Sequence, residues 1–267
     1  MSNIQKVIKI LAICFGAFII TNIVAGVVFV LSITGNITMN NNKSFDVYEK
    51  TYMNIANLDL DLSSTSINII RGNEFKVIVN AVEDSITIKE IEGILKIEEK
   101  NQWLFNNNSE GMITISIPEN IILNKLEIDA GAGKVLISDI SVNKLDLNQG
   151  AGIIKISNSD FNFIDIDGGA GEITINNSVL NNLVLDSGVG AVKINSKILG
   201  NSEISSGVGE VILNLRGSKE DYFLNLEKGL GSITIDGVDF SNNTTYGAGL
   251  NSLRVEGGIG SIKINFE

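Results

Sequence analysis

The sequence predicts an all-β protein: a single-stranded β-solenoid of the parallel β-helix type, with about 19 residues per coil, behind one transmembrane α-helix. Three observations carry this. A glycine-led phrase recurs as GAGKVLI at Gly131, GAGIIKI at Gly150, GAGEITI at Gly169, GVGAVKI at Gly188 and GVGEVIL at Gly207, each 19 residues after the last. Apolar residues recur at every second position on both sides of each phrase. Near the N-terminus, Ile10 to Leu31 runs for 22 residues without a charge. A fixed period of that size marks stacked coils, none of which buries its apolar side alone. Two more copies, GLGSITI at Gly229 and GIGSIKI at Gly258, come later at wider spacing.

The apolar run is long enough to cross a bilayer, which takes about 20 helical residues. Lys6 and Lys9 precede it and no charge follows until Lys43. The positive-inside rule therefore places residues 1–9 in the cytoplasm as a short tail, 10–31 in the cell membrane as a single pass, and the rest outside. A cleavable signal would have a shorter core and a small-residue cleavage site. The run ends Val-Phe-Val-Leu-Ser-Ile-Thr-Gly, so a retained anchor is expected. Residues 32–54 are polar and unpatterned and read as a stalk.

Alternation starts at Ile55, and residues 55–267 form the expected solenoid ectodomain: irregular coils over 55–130, regular Gly-x-Gly repeats over 131–267. Leu58, Leu60 and Leu62, a Ser-Ser-Thr turn, then Ile67 and Ile69 repeat the later grammar without its glycines. In the regular block, Val135, Ile154, Ile173, Val192, Val211, Ile233 and Ile262 form one β-branched column. Ile137, Ile156, Ile175, Ile194, Leu213, Ile235 and Ile264 form a second. Two columns precede the glycines, through Leu126 and Ile128 and their equivalents, and a fifth holds Val142, Phe161, Leu180 and Leu199. Period-two alternation gives each coil two inward-facing strands. About ten coils at about 4.8 Å each make a rod on the order of 50 Å long. The glycines belong at the bend, where positive φ or a close backbone excludes a Cβ.

Composition excludes several activities. There is no histidine, so neither a Ser-His-Asp arrangement nor a zinc site of the usual kind is available. The one cysteine, Cys14, lies in the apolar run and supports neither a disulfide framework nor a thiolate metal site. Residues 32–267 carry 18 basic and 31 acidic side chains, a formal charge of −13 that repels nucleic acid and anionic lipid. Gly131-Ala-Gly-Lys134 fails as a phosphate loop, because Ile128 and Val135 stand where that motif needs glycine and Ser or Thr. Gly168-Gly-Ala-Gly-Glu172 fails as a calcium nonapeptide, with Ile173 in the aspartate position.

An acidic column remains two residues before each leading glycine: Asp129, Asn148, Asp167, Asp186, Ser205, Glu227 and Glu256. Asp146, Asp165 and Glu203 lie on the same outer side. Stacked carboxylates about 5 Å apart could hold a hard cation, but the column reads first as a solvated face that keeps the rod soluble. Paired carboxylates also open a distant alternative, a polysaccharide-active β-helix enzyme, although a 19-residue coil has little loop from which to build a cleft. No catalytic, cofactor or metal residue is assigned, and no cofactor is expected. Trp103, Phe105, Phe240 and Tyr246 stand in irregular stretches, either as exposed anchors or folded back to cap an end. The chain stops at Ile264-Asn-Phe-Glu267 directly after a core strand, which predicts an unpaired terminal edge open to self-association.

The strand Ile113–Pro118, the segment ILNKLEIDAGAGKVLISDI and the iterated Gly-Ala-Gly coils resemble the bacterial putative-adhesin family of β-strand repeats, a domain-of-unknown-function group related to the toastrack domains. The likeness spans about residues 55–267. It implies a β-solenoid on a bacterial envelope behind a single membrane helix, acting as a non-catalytic binding or adhesin-like module. No functional residues come with it. An envelope-stress or regulatory component, whose ectodomain contacts neighbouring membrane proteins, is the alternative. The tail of about nine residues is too short to signal by itself.

Overall fold

The computed structural model describes residues 45–82, 84–100 and 111–267. The apolar run 10–31 lies outside them, as do Trp103 and Phe105. Among the described residues no helix is long and apolar enough to cross a membrane. Ser44–Glu267 forms one compact unit with its own apolar core.

The strands in chain order are β1 (Phe45–Thr51), β2 (Asn57–Leu62), β3 (Ser66–Gly72), β4 (Lys76–Val82), β5 (Ile86–Ile91), β6 (Ile94–Glu99) and β7 (Met112–Pro118). The long bent strands come next: β8 (Ile122–Ser138), β9 (Ser141–Ser157), β10 (Asp160–Asn181), β11 (Leu183–Leu199) and β12 (Asn201–Leu215). Then come β13 (Tyr222–Ile235), β14 (Val238–Phe240), β15 (Thr244–Gly247) and β16 (Asn251–Phe266). Successive long strands pair in parallel at the repeat spacing, so Leu145 lies on Leu126, Ile164 on Leu145 and Leu183 on Ile164. Val135, Ile154 and Ile173 stack one above another as the columns require. The four main columns are buried along their length, with Ser202 the one polar substitution among them. Its hydroxyl accepts from the Leu183 amide at 3.1 Å, which satisfies it there.

Each coil bends twice. At the first bend the backbones of adjacent rungs come so close that a side chain has no room. A Cβ on Gly188 would lie 2.4 Å from the Gly169 carbonyl oxygen, and one on Gly190, at φ 146, would lie 1.7 Å from that of Gly171. The second bend was not legible from glycines, because Asp139, Asn158 and Asn177 make it, at φ 60, 49 and 54. Asp and Asn tolerate this left-handed region better than other non-glycine residues. Behind them a buried serine ladder completes the corner. Ser159, Ser178 and Ser196 hydroxyls accept from the amides of Ile140, Ser159 and Ser178, at 3.3, 3.2 and 3.1 Å. A bulge after Asn176 shortens the next step by one residue, so Ile198, not Leu199, continues the fifth column on Leu180.

The coils do not stack in chain order at either end. β16 lies between β12 and β13, with Gly258 against Gly207 and Gly229 against Gly258. The expected unpaired C-terminal edge is therefore corrected: Ile264 pairs with both Leu213 and Ile235, and the Glu267 amide donates to the Leu215 carbonyl at 2.9 Å. The cause is the path of the chain after β13. A tight Asp236-Gly237 turn returns it antiparallel as β14, and β15 covers the other half of β13. The coil that carries its own cover takes the outside, and the bare coil is paired on both sides. Phe240 and Tyr246 pack against the core, and Tyr246 stacks on Phe266 with ring centroids 6.2 Å apart. These two aromatics close the end.

The N-terminal end repeats the logic. β2 and β3 form the rung beneath β8, while β6 and β7, later in the chain, lie outside them. β5 returns antiparallel on β6, β4 on β7, and β1 on β4. β1 falls within residues 32–54, so pairing begins at Phe45, ahead of the alternation that starts at Ile55. Among the described residues it is paired along one edge, with β4. The turn at Ser63–Thr65 is made without glycine. Instead the Glu99 carboxylate accepts from the amides of Ser63, Ser64 and Thr65 at 2.8, 2.8 and 3.0 Å. Burial works to raise the pKa of this carboxyl, but the donors at Ser64 and Thr65 prevail and hold it below its ordinary value.

Three substitutions test these contacts. Gly190→Ala should lower the unfolding free energy by about 3 kcal/mol or more, measured by urea denaturation. Gly237→Ala, with nothing within 4 Å of its Cβ and only φ 76 to strain it, should cost about 1–2 kcal/mol. Glu99→Gln should cost about 1–3 kcal/mol at neutral pH. Because the folded pKa is depressed, the Glu99 contribution is complete above its ordinary 4.5 and fades as pH falls through the lower folded value. The substitution should therefore flatten the acid limb of stability against pH.

Candidate functional site

Outside the first bend, the missing glycine side chains leave a groove of about 910 Å³ along the stack. Its floor is backbone at Gly131, Gly150, Gly169, Gly188 and Gly207, and its wall is the acidic column from Asp61 through Asp129, Asn148, Asp167 and Asp186 to Ser205. The same close approach that demands glycine therefore opens the concave surface. Register places the column in a line: Asp61 beside Asp129, then Asn148, Asp167, Asp186, Ser205, Glu256 and Glu227.

Charge compensation along this face is uneven. Arg254 pairs with Glu203 at 3.6 Å, with Glu227 at 3.3 Å and with Glu256. Lys96 pairs with Asp59 and Glu98, Lys125 with Glu127, and Lys144 reaches Asp146 at 3.7 Å. Asp129 accepts from Asn148 Nδ2 at 2.8 Å. Among the described residues no ion pair reaches Asp165, Asp167 or Asp186. These three form an uncompensated acidic centre in the middle of the stack. Burial, then the charges of Asp167, Asp146 and Asp186, raise the Asp165 pKa against the opposing pull of Lys144.

In the column Asp167 sits beside Asp186 and Glu256 beside Glu227, while Asn148 separates Asp129 from Asp167. The carboxylates form a line rather than a cage. Among the described residues no group of three or more His, Cys, Asp or Glu side chains is placed to hold a metal ion. What the arrangement offers chemically is a long, negatively charged trough with a flat peptide floor. Sequence reasoning found the acidic column but missed the groove and the apolar side chains beside it. Phe163 and Val184 are exposed on the acidic face, and Val189 and Val208 on the bend itself. Phe163 breaks a column of lysines at 125 and 144, a signal that the 19-residue period carries in the sequence.

A bent parallel stack with antiparallel end covers and a charged trough defines a β-repeat domain. The family model described as Toastrack DUF4097 matches residues 32–255, and the chain belongs to that family. No curated protein matches the chain. Among solved structures, a putative adhesin from Bacteroides fragilis is 14% identical with a TM-score of 0.53, covering 84% of this chain and 98% of its own. A putative cell adhesion protein from Clostridium sporogenes is 18% identical (TM-score 0.44; 84% and 100% covered). A putative lipid binding protein from Parabacteroides distasonis is 16% identical (TM-score 0.47; 85% and 98% covered). The first of these likenesses supports the fold.

Asp165→Asn should raise the unfolding free energy at pH 7 by about 0.2–1 kcal/mol, by removing like-charge repulsion across the strands. A raised folded pKa means the ionised form opposes folding. The gain should shrink as pH falls through that pKa and vanish below the ordinary 3.8, which denaturation at stepped pH would read.

Proposed function

We propose that the protein is a membrane-anchored, non-catalytic binding module displayed on the cell surface, with the acidic trough as its contact face. Residues 10–31 cross the membrane once, residues 1–9 remain cytoplasmic, and the stacked domain stands outside. The observation that carries the reading is the run of Asp165, Asp167 and Asp186, which no ion pair reaches among the described residues, beside a groove of about 910 Å³. A trough this long suits an extended partner rather than a small molecule, since it encloses nothing. The adhesin names of its structural neighbours accord with such a role.

Two measurements on intact cells test this. A cysteine placed at exposed Asn201 should react with a membrane-impermeant maleimide while Cys14 does not. Partner adducts, captured by a crosslinking residue at Asn148 in the groove wall, should fall at least tenfold in the double variant Asp167→Lys, Asp186→Lys. Adducts of unchanged yield would refute the trough. Adducts solely with integral membrane proteins would favour the regulatory role over adhesion. A protected residue 201 would refute the display.

A further inference from the structure

The middle residue of each Gly-x-Gly is exposed at the crest of the first bend, and register aligns these residues into a ridge. In spatial order they are Ala132, Ala151, Ala170, Val189, Val208, Ile259 and Leu230. The position itself makes no demand for bulk, since three rungs fill it with alanine. The other four carry branched aliphatics exposed by 55%, 43%, 54% and 73%. Glycines on both sides leave each of them standing clear. At about 4.8 Å per rung the four make an apolar crest about 15 Å long. Contiguous exposed apolar surface of this kind marks a site of interaction.

The crest adjoins the trough. Asp186 precedes Val189 by three residues, and beyond the carboxylates stand exposed Phe163 and Val184, the latter paired with Asp165. Asp186 thus lies between exposed Val184 and Val189, with Asp165 and Asp167 on the neighbouring rung, and the crest continues from Val189 through Val208, Ile259 and Leu230 beside Ser205, Glu256 and Glu227. We infer that this surface docks a basic, apolar-rich segment of a partner protein. Its aliphatic side chains would lie against Val189, Val208, Ile259 and Leu230, and its Lys or Arg would reach Asp165, Asp167 and Asp186. Charge complementarity selects the occupant. A second copy, like an anionic lipid surface, meets the −13 charge of residues 32–267 with charge of the same sign. Phe163 offers an aromatic face that a bound cation also favours. The inference rests on the reading of the domain as a binding module and adds the chemistry of what it binds.

The test uses residues 44–267, whose core and both covered ends lie within that unit. The probe is a 16-residue peptide of alternating leucine and lysine, with a leucine–glutamate peptide and phosphatidylcholine vesicles as controls. The lysine peptide should bind and the controls should not, with affinity falling as salt rises. Replacing Val189, Val208, Ile259 and Leu230 by alanine, the residue native to this position in three rungs, should weaken binding at least tenfold with the circular dichroism unchanged. Asp165→Asn, Asp167→Asn and Asp186→Asn together should do the same and reduce the salt dependence. Failure of the wild type to bind the lysine peptide, binding within twofold of wild type in either variant, or equal capture of the vesicles would overturn the inference. If those failures occurred while the Asn148 adducts on cells still depended on Asp167 and Asp186, the binding module would stand and only its proposed occupant would fall.

Discussion

Everything in this domain depends on how closely one rung's backbone approaches the next at the first bend. A Cβ at Gly171, Gly190 or Gly209 would lie within 1.8 Å of a carbonyl oxygen on the adjacent rung. No repacking relieves a contact with backbone, so the bend admits glycine alone. Once the bend is tight, the two halves of each coil face one another and the aliphatic columns meet in a dry interior. The same glycines leave the outer surface hollow, which is why the trough lies there and nowhere along the straight segments.

The two ends show how a stack of identical rungs avoids growing without limit. Unpaired strand edges recruit other strands, and a regular parallel stack exposes one at each end. Here the outermost rungs are the ones covered by antiparallel strands: β14 and β15 on β13, and β5 and β4 on β6 and β7, although β4 follows β3 in the chain. The uncovered coils β16 and β2–β3 sit one place inward. Chain order is broken at both ends, and each edge rung is covered by antiparallel strands. At the N-terminal end a carboxylate, Glu99, also accepts from the amides of the Ser63–Thr65 turn.

Surface charge obeys the same division between what the stack requires and what it leaves free. Cross-strand neighbours of opposite sign, such as Arg254 with Glu203 and Glu227, stabilise the outer face modestly. The middle of the acidic face departs from this, with Asp165 held protonated to a higher pH than usual by burial and by its like-charged neighbours. A face kept at that disadvantage, beside exposed Phe163, Val189 and Val208, is the part of the surface least explained by folding.

The 19-residue period, the alternation and the glycine pairs were enough to read the rung, its four main core columns and the acidic line, because each is a local, repeated constraint on one residue at a time. Local pattern says nothing about which rung lies beside which. The inward placement of β16, the joining of β6–β7 beneath β2–β3, and the use of Asp139, Asn158 and Asn177 at the second bend come from pairings between distant segments. The trough and the crest belong to the same class: their residues are ordinary one by one, and only stacking sets them in line. Sequence determined the unit of construction, and tertiary structure decided the order of assembly and the surface that results, since edge pairing and charge compensation are properties of neighbours in space.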